Sequence, residues 1–281
     1  MEKEIEYLEK SISKHVVSFK KEYMNKYVGS SFLREFIPIS YSFELPIQDN
    51  DLAKLNEFAR FNPIYFKSSH IMLFNKSCIS YEGDISTYLL SSKKYDTNYQ
   101  PFYPTWMLSA YALALGAKQL GFNEVIDVGS GDGRIAFCGT LLNLKSIGIE
   151  IDLNLTMLQQ EIYNGTRINY YKLNQDSTSV DYAALDLTRP MFFISGLPEM
   201  GEMLAIDTIK KVKNIVNIMH SAGFNFMGSH IMKEYSRDKT EWGWGRIIKE
   251  FDLELLGTTT LPTHWTNDQA TDTPYVYTRC K

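Results

Sequence analysis

The stretch from Glu124 to Phe137, EVIDVGSGDGRIAF, sets three glycines at alternate positions directly behind a run of β-formers and ahead of small and apolar residues. Glycine at that spacing either permits a turn with positive φ or lets a ligand lie against bare main chain. A strand that runs through such a turn into a helix opens a βαβ unit, and ligands of such sheets gather beyond the carboxyl ends of the strands. The chain continues in the same sense: SIGIEI, INYYKL, PMFFISG and FNFMGSH read as strands, and LNLTMLQQEIYNG and MLAIDTIKKVKNIV as helices. This alternation predicts an α/β fold, a doubly wound and mainly parallel sheet covered on both faces. LELLGTTTL and PYVYTRC have no helix between them and are expected to pair antiparallel at one edge, bringing the sheet to seven strands.

Ahead of the turn, TWMLSAYALALGAKQLG reads as a helix with Thr105 as N-cap and Gly121 as its stop. Residues 1–98 have a different character. Apolar side chains at Ile5, Leu8, Ile12, Val16, Phe19, Tyr23 and Tyr27 trace one stripe of a long helix over Lys3 to Tyr27, its other face Lys and Glu. The short runs FIPISYSFEL and SHIMLFNKSCISY flank a helical DLAKLNEFARF, which makes this an α+β region in front of a ligand-binding domain at 99–281.

With 44% hydrophobic and 22% charged residues in a chain of 281, a conventional buried core is expected. A formal net charge of −4 argues against gripping nucleic acid through bulk charge. Cys78, Cys138 and Cys280 form no CxxC pair and sit beside no His cluster, which predicts neither a metal site nor a disulfide framework and fits a reducing compartment. No apolar run approaches the ~18 residues of a membrane span, so a cytoplasmic protein without membrane partners is expected.

Gly129, Ser130, Gly131, Asp132 and Gly133 form the predicted turn, and the next strand ends in Glu150, followed by Ile151. A carboxylate at that place accepts hydrogen bonds from the hydroxyls of a ribose, so an adenosine carrier is the expected ligand, with a ligand-free tight connection as the bland alternative. A dinucleotide fingerprint needs glycine where Arg134 stands, and the charge of Asp127 repels a pyrophosphate but suits an ammonium. S-adenosylmethionine (SAM) carries an ammonium and no phosphate, which makes it the predicted cofactor and disfavours an NAD-dependent oxidoreductase.

EVIDVGSGDGRIAF together with SIGIEID resembles the first two cofactor motifs of class I SAM-dependent methyltransferases, over about residues 100 to 281. The resemblance implies a seven-stranded Rossmann-like domain and methyl transfer, with Asp176 of NQDST at the position that meets the adenine amino group and Asn174 competing for the role. FYPTWMLSAYAL is similar to the Y-x-P-T-P segment of archaeal and mitochondrial seven-stranded protein lysine methyltransferases, with Trp106 in place of the second proline. Tyr103 and Thr105 are thereby implied as cofactor contacts. In this family the fourth strand ends beside the methyl group, here in FFISGLPEMGEM, which lacks the N/D-P-P-Y/F motif of enzymes acting on base amines or glutamine. Ser195 and Pro198 would shape the pocket. Glu199 and Glu202 are candidates to attract a lysine ammonium or take its proton, His230 is a second candidate base, and Tyr235, Trp242 and Trp244 are candidates to line an acceptor channel. A protein lysine is the leading acceptor, with residues 1–98 helping to select it. RNA, a small metabolite, or a catalytically silent SAM-binding regulatory protein are the alternatives.

Overall fold

A computed structural model of the chain describes residues 12–27, 33–84, 89–90, 100–101, 104–194, 196, 198–228, 243–263 and 272–281. Helix α1 (Lys14–Lys26) comes first, then strand β1 (Leu33–Pro38), helix α2 (Asp49–Phe61) and strands β2 (Tyr65–Leu73) and β3 (Lys76–Gly83). β1, β3 and β2 form an antiparallel sheet in that order. The β2–β3 hairpin turns through Phe74 and Asn75, at φ 45° and 60°, the two positive values that match the twist of paired strands. The two-residue strands β4 (Leu89–Leu90) and β5 (Gln100–Pro101) pair with each other, and α3 (Met107–Gln119) follows.

The second sheet holds β6 (Glu124–Val128), β7 (Lys145–Glu150), β8 (Tyr171–Asn174), β9 (Pro190–Ile194), β10 (Gly223–Met227), β11 (Leu253–Leu261) and β12 (Thr273–Cys280). Its order is β11-β12-β10-β9-β6-β7-β8, parallel except that β12 runs antiparallel to both its neighbours. This is the seven-stranded Rossmann-like sheet that the resemblance implied. The reversed strand inserts beside the outermost one, so β11 regains the direction of the rest. Helices α4 (Arg134–Leu141), α5 (Leu153–Thr166), α6 (Pro198–Val212) and α7 (Gly243–Glu250) complete the α/β units.

The two faces of this sheet are buried in different ways. Ile126, Ile149, Phe192, Phe224 and Val276 face α6 and α7. The opposite face, with Val125, Met191, Phe193 and Tyr277, lies in one hydrophobic cluster with α3, α4, α5 and buried residues from all three strands of the N-terminal sheet. α3 explains why: MLSAYALALGAKQ is buried around nearly its entire circumference, and a helix without a polar face has to be covered on every side. The large sheet covers one side and the N-terminal residues cover the other.

Several expectations need correction here. Thr105 does not cap α3: its hydroxyl lies 3.0 Å from that of Tyr275, Trp106 occupies the N-cap position without a side-chain bond, and the Met107 N–H goes instead to Glu35 Oε2 at 2.6 Å. The polar face assigned to the first helix contains Lys20, which is buried against Asp272 at 2.6 Å. The part of that helix before residue 12 and the proposed boundary at 98/99 lie outside the described residues. Trp244 lines no channel, because it stacks on Phe226 at 4.8 Å in the core and its Nε1–H donates to the Met227 carbonyl at 2.7 Å. Tyr235 and Trp242 fall outside the described residues, within which no helix is long and apolar enough to cross a membrane.

Candidate cofactor-binding site

The glycine turn emerges from β6 with Gly129, Gly131 and Gly133 at φ 75°, 57° and 80°, all in the left-handed region. A side chain on Gly133 would also strike the Tyr170 hydroxyl, which lies 1.7 Å from where the Cβ would stand. Three sets of hydrogen bonds hold the turn. The Gly129 and Ser130 N–H groups donate to the Ile149 carbonyl, both at 2.9 Å, and the Gly131 N–H donates to Glu150 Oε2 at 2.7 Å. Gln159 Nε2 donates to the Gly131 carbonyl at 2.7 Å and to Ser130 Oγ at 3.0 Å, while the Tyr170 hydroxyl fixes the amide from behind at 3.0 Å. The Gly133 N–H turns back to the Ser130 carbonyl at 2.8 Å, and the first N–H of α4, from Arg134, meets Asp132 Oδ1 at 3.3 Å. A phosphate-binding turn offers such N–H groups to its ligand. Here they are already accepted by protein oxygens, two of them by carboxylates.

The surroundings are acidic and dry. Asp127, Asp132, Glu150 and Glu35 are all buried, and Arg134 is the cation that pairs with two of them, Asp132 and Glu35. Asp132, expected at the ligand, is drawn instead into a two-point ion pair with Arg134, at 2.5 Å to Nη2 and 2.9 Å to Nε. Burial opposes the charge on Arg134, but Asp132 and Glu35 outweigh it and raise its pKa. Asp127 Oδ1 is buried without a hydrogen-bond partner among the described residues. Burial pushes the Asp127 carboxyl up to about 8, with repulsion from Asp132 and Glu150 adding to it. Burial likewise brings Glu150 to about 7, against the N–H groups of Asp152 and Gly131 that favour its charge.

These shifts carry a sign. Carboxyls that hold their protons more tightly folded than unfolded add stability that is complete below their unfolded pKa and is lost as pH rises through the folded one. The ligand-free protein is therefore expected to melt several degrees lower at about pH 8.5 than at about pH 6, at ~2–4 °C per kcal/mol lost. Differential scanning calorimetry across that window checks it, and a melting temperature that climbs with pH would contradict it.

The other expected site residues distribute unevenly. Ile151 directly follows Glu150 and is 42% exposed, an apolar surface at the strand end. Asn174 is anchored through its amide nitrogen, Nδ2 donating to the carbonyls of Glu150 at 3.0 Å and Ile151 at 3.2 Å and to Thr156 Oγ1 at 3.2 Å. Asp176 stands just past β8 and caps the 3₁₀ turn Ser177–Ser179 through Thr178. The Thr105 carbonyl accepts from Arg134 Nη1, which brings the segment before α3 against the turn. Tyr103, Ser195 and His230, and the side chain of Glu199, lie outside the described residues.

Glu202 is engaged with Arg246, which also meets Glu250 at 2.9 Å. A carboxylate paired in this way is a poor proton acceptor, which corrects its assignment as a base. Glu202→Gln is expected to leave methyl transfer within about threefold and to cost ~1 kcal/mol or less, as half-exposed pairs do. A loss of activity by orders of magnitude would restore Glu202 to the chemistry. Glu35, Asn62, Gln159 and Tyr170 were not anticipated. The one signal for Glu35 was a charge inside the apolar strand LREFIP, since buried carboxylates are rare unless paired.

No protein-family model matches the sequence, and no curated protein does. Solved structures with a similar course of chain include the PH0226 protein of Pyrococcus horikoshii OT3, 12% identical over 62% of this chain and 89% of that one, with a TM-score of 0.46. Magnesium protoporphyrin IX methyltransferase from Synechocystis PCC 6803, solved with bound SAH, is 11% identical over 62% and 81%, with a TM-score of 0.42. The M. jannaschii tRNA m1G37 methyltransferase is 13% identical over 62% and 48%, with a TM-score of 0.41. What each of these binds or methylates is a property of that protein.

Proposed function

We propose that the chain, through residues 99–281, is a SAM-dependent methyltransferase whose glycine turn holds the cofactor. The observation that carries this reading is Asp127: a buried carboxylate oxygen without a hydrogen-bond partner among the described residues, at the foot of a turn in which the Gly129, Ser130, Gly131 and Gly133 N–H groups are already taken. That arrangement gains nothing from a phosphate and gains an ion pair from an ammonium. An adenosine joined to an amino acid, and lacking phosphate, meets both conditions.

Asp127 is the residue to hold the ammonium, and Glu150, with each oxygen anchored by one N–H, keeps lone pairs for ribose hydroxyls. Ile151 offers the apolar surface for the adenine ring, and Asp176 is the candidate for its amino group, with the Oδ1 of Asn174, whose Nδ2 is anchored, competing for it. When bound, SAM supplies a methyl group on a sulfonium that is already a good leaving group, so little is asked of the protein beyond alignment and exclusion of water. The pre-set turn does the first. The cluster of buried side chains around it does the second.

For the acceptor, a protein lysine amine remains the reading, with residues 1–98 helping to select it. The resemblance of FYPTW to the lysine methyltransferase segment supports it. Transfer of radiolabelled methyl from SAM into fractionated cell extract tests both levels. Label on protein lysine is the expected result. Label in RNA or in small molecules would move the acceptor and keep the cofactor, and SAM binding without any transfer would favour a regulatory protein.

A further inference from the structure

Glu35 belongs to β1 of the N-terminal sheet and is fully buried 99 positions before Arg134. Its Oε1 accepts from Arg134 Nη1 at 3.4 Å and from the Tyr65 hydroxyl, and its Oε2 accepts the first N–H of α3 from Met107 at 2.6 Å. Arg134 in turn grips Asp132 between two glycines of the turn and holds the Thr105 carbonyl ahead of α3. A second strut leaves the N-terminal region at Asn62, just past α2, and donates to Asp132 Oδ2 at 2.9 Å. With Nη2 also donating to the Tyr65 hydroxyl at 3.4 Å, all five N–H donors of the guanidinium are committed, and its plane allows little else.

Buried ionic clusters are expensive, and an apolar cluster of the same volume would stabilise the interface as well or better. What the ionic version adds is a fixed geometry, because bidentate pairing sets both distance and angle. We infer that Glu35, with Asn62 as a second strut, is a positioning residue: through Arg134 and Asp132 the N-terminal sheet sets the shape of the cofactor turn and ties it to the segment that precedes α3. A module that looks like an addition to the methyltransferase sheet is in this way part of its cofactor site. The inference rests on the cofactor reading for what the turn binds, though not for what shapes the turn.

Glu35→Gln keeps the volume and removes the charge that faces Arg134. Two readouts decide, calorimetric titration with S-adenosylhomocysteine and amide hydrogen exchange of residues 129–134 in the ligand-free protein. Glu35→Gln is expected to weaken binding ~10-fold and to speed exchange in the turn by a similar factor, with β6 and β7 as protected as in the wild type, which is the size of coupling found within buried networks. Asn62→Ala, the milder change, is expected to move both in the same direction by roughly threefold. Glu35→Gln combined with Asp132→Asn should cost no more than the larger of the two alone, since both break one relay.

Wild-type exchange in the turn of both single variants, even with a lowered melting temperature, would overturn the inference and leave Glu35 a packing residue. If Glu35→Gln does not fold, Asn62→Ala decides by the same exchange measurement. A wild-type protein that binds no S-adenosylhomocysteine, while Glu35→Gln still loosens the turn, would keep the positioning role and remove the cofactor reading.

Discussion

Asp127→Asn is expected to bind SAM about 100-fold more weakly than the wild type while melting no lower, and at about pH 8 slightly higher. The two effects have one cause. In the ligand-free protein the carboxyl is buried beside Asp132 and Glu150, whose repulsion outweighs the weaker pull of Arg134, so neutralising it relieves repulsion. With the cofactor bound, the same carboxylate is the partner of a desolvated ammonium, and losing one member of such a pair costs ~2–5 kcal/mol. 5′-Methylthioadenosine keeps the adenosine and the sulfur without the amino acid, so its affinity should not change. Equal losses for both ligands would mean that Asp127 supports the fold of the turn and does not hold the ammonium.

Gly133→Ala is expected to lower stability by about 3 kcal/mol and to abolish SAM binding. Part of the cost is a left-handed φ, ~1 kcal/mol for a residue with a Cβ. The rest comes from crowding, ~1–3 kcal/mol in a packed interior, because the Tyr170 hydroxyl is buried and bonded to Gln159 and has nowhere to go. Gly121→Ala separates the two terms. Its φ is 83°, but its Cβ would meet the far end of the Arg189 side chain at 3.2 Å, so only the backbone term of about 1 kcal/mol is expected, with binding retained. If the two variants melt alike and both bind SAM, the turn is softer than its hydrogen bonds indicate.

What the sequence disclosed and what it hid follow from the range of the interactions involved. The strands of the second sheet, the glycine turn, most of the helices and the unusual pairing of the last two strands are written in local periodicity and turn chemistry and appear where those signals place them, whereas α7 forms in a stretch whose polar neighbourhood suggested a channel. Asp127 and Glu150 were readable for the same reason, since a position at a strand end is a local property. The relay from Glu35 to Arg134 was not, because it joins residues 99 positions apart and no periodicity records which buried charge will face which. Along the sequence Arg134 registers only as a departure from glycine. Trp244 and Glu202 misled in the opposite way: a polar neighbourhood along the chain suggested a site, while folding placed one in the core and the other against Arg246. The nearly all-apolar circumference of α3 did hold the information that further residues must cover it, through a pattern of missing polarity.

The turn suits a cation on an adenosine and not a phosphate. Calorimetric titration of the ligand-free protein with SAM and, in parallel, with NAD tests it most directly, run near neutral pH in two buffers of different ionisation enthalpy. The account predicts that SAM binds and releases protons as Asp127 gives up its own, while NAD gives no measurable heat. Tighter binding of NAD than of SAM, or binding of neither, would contradict it.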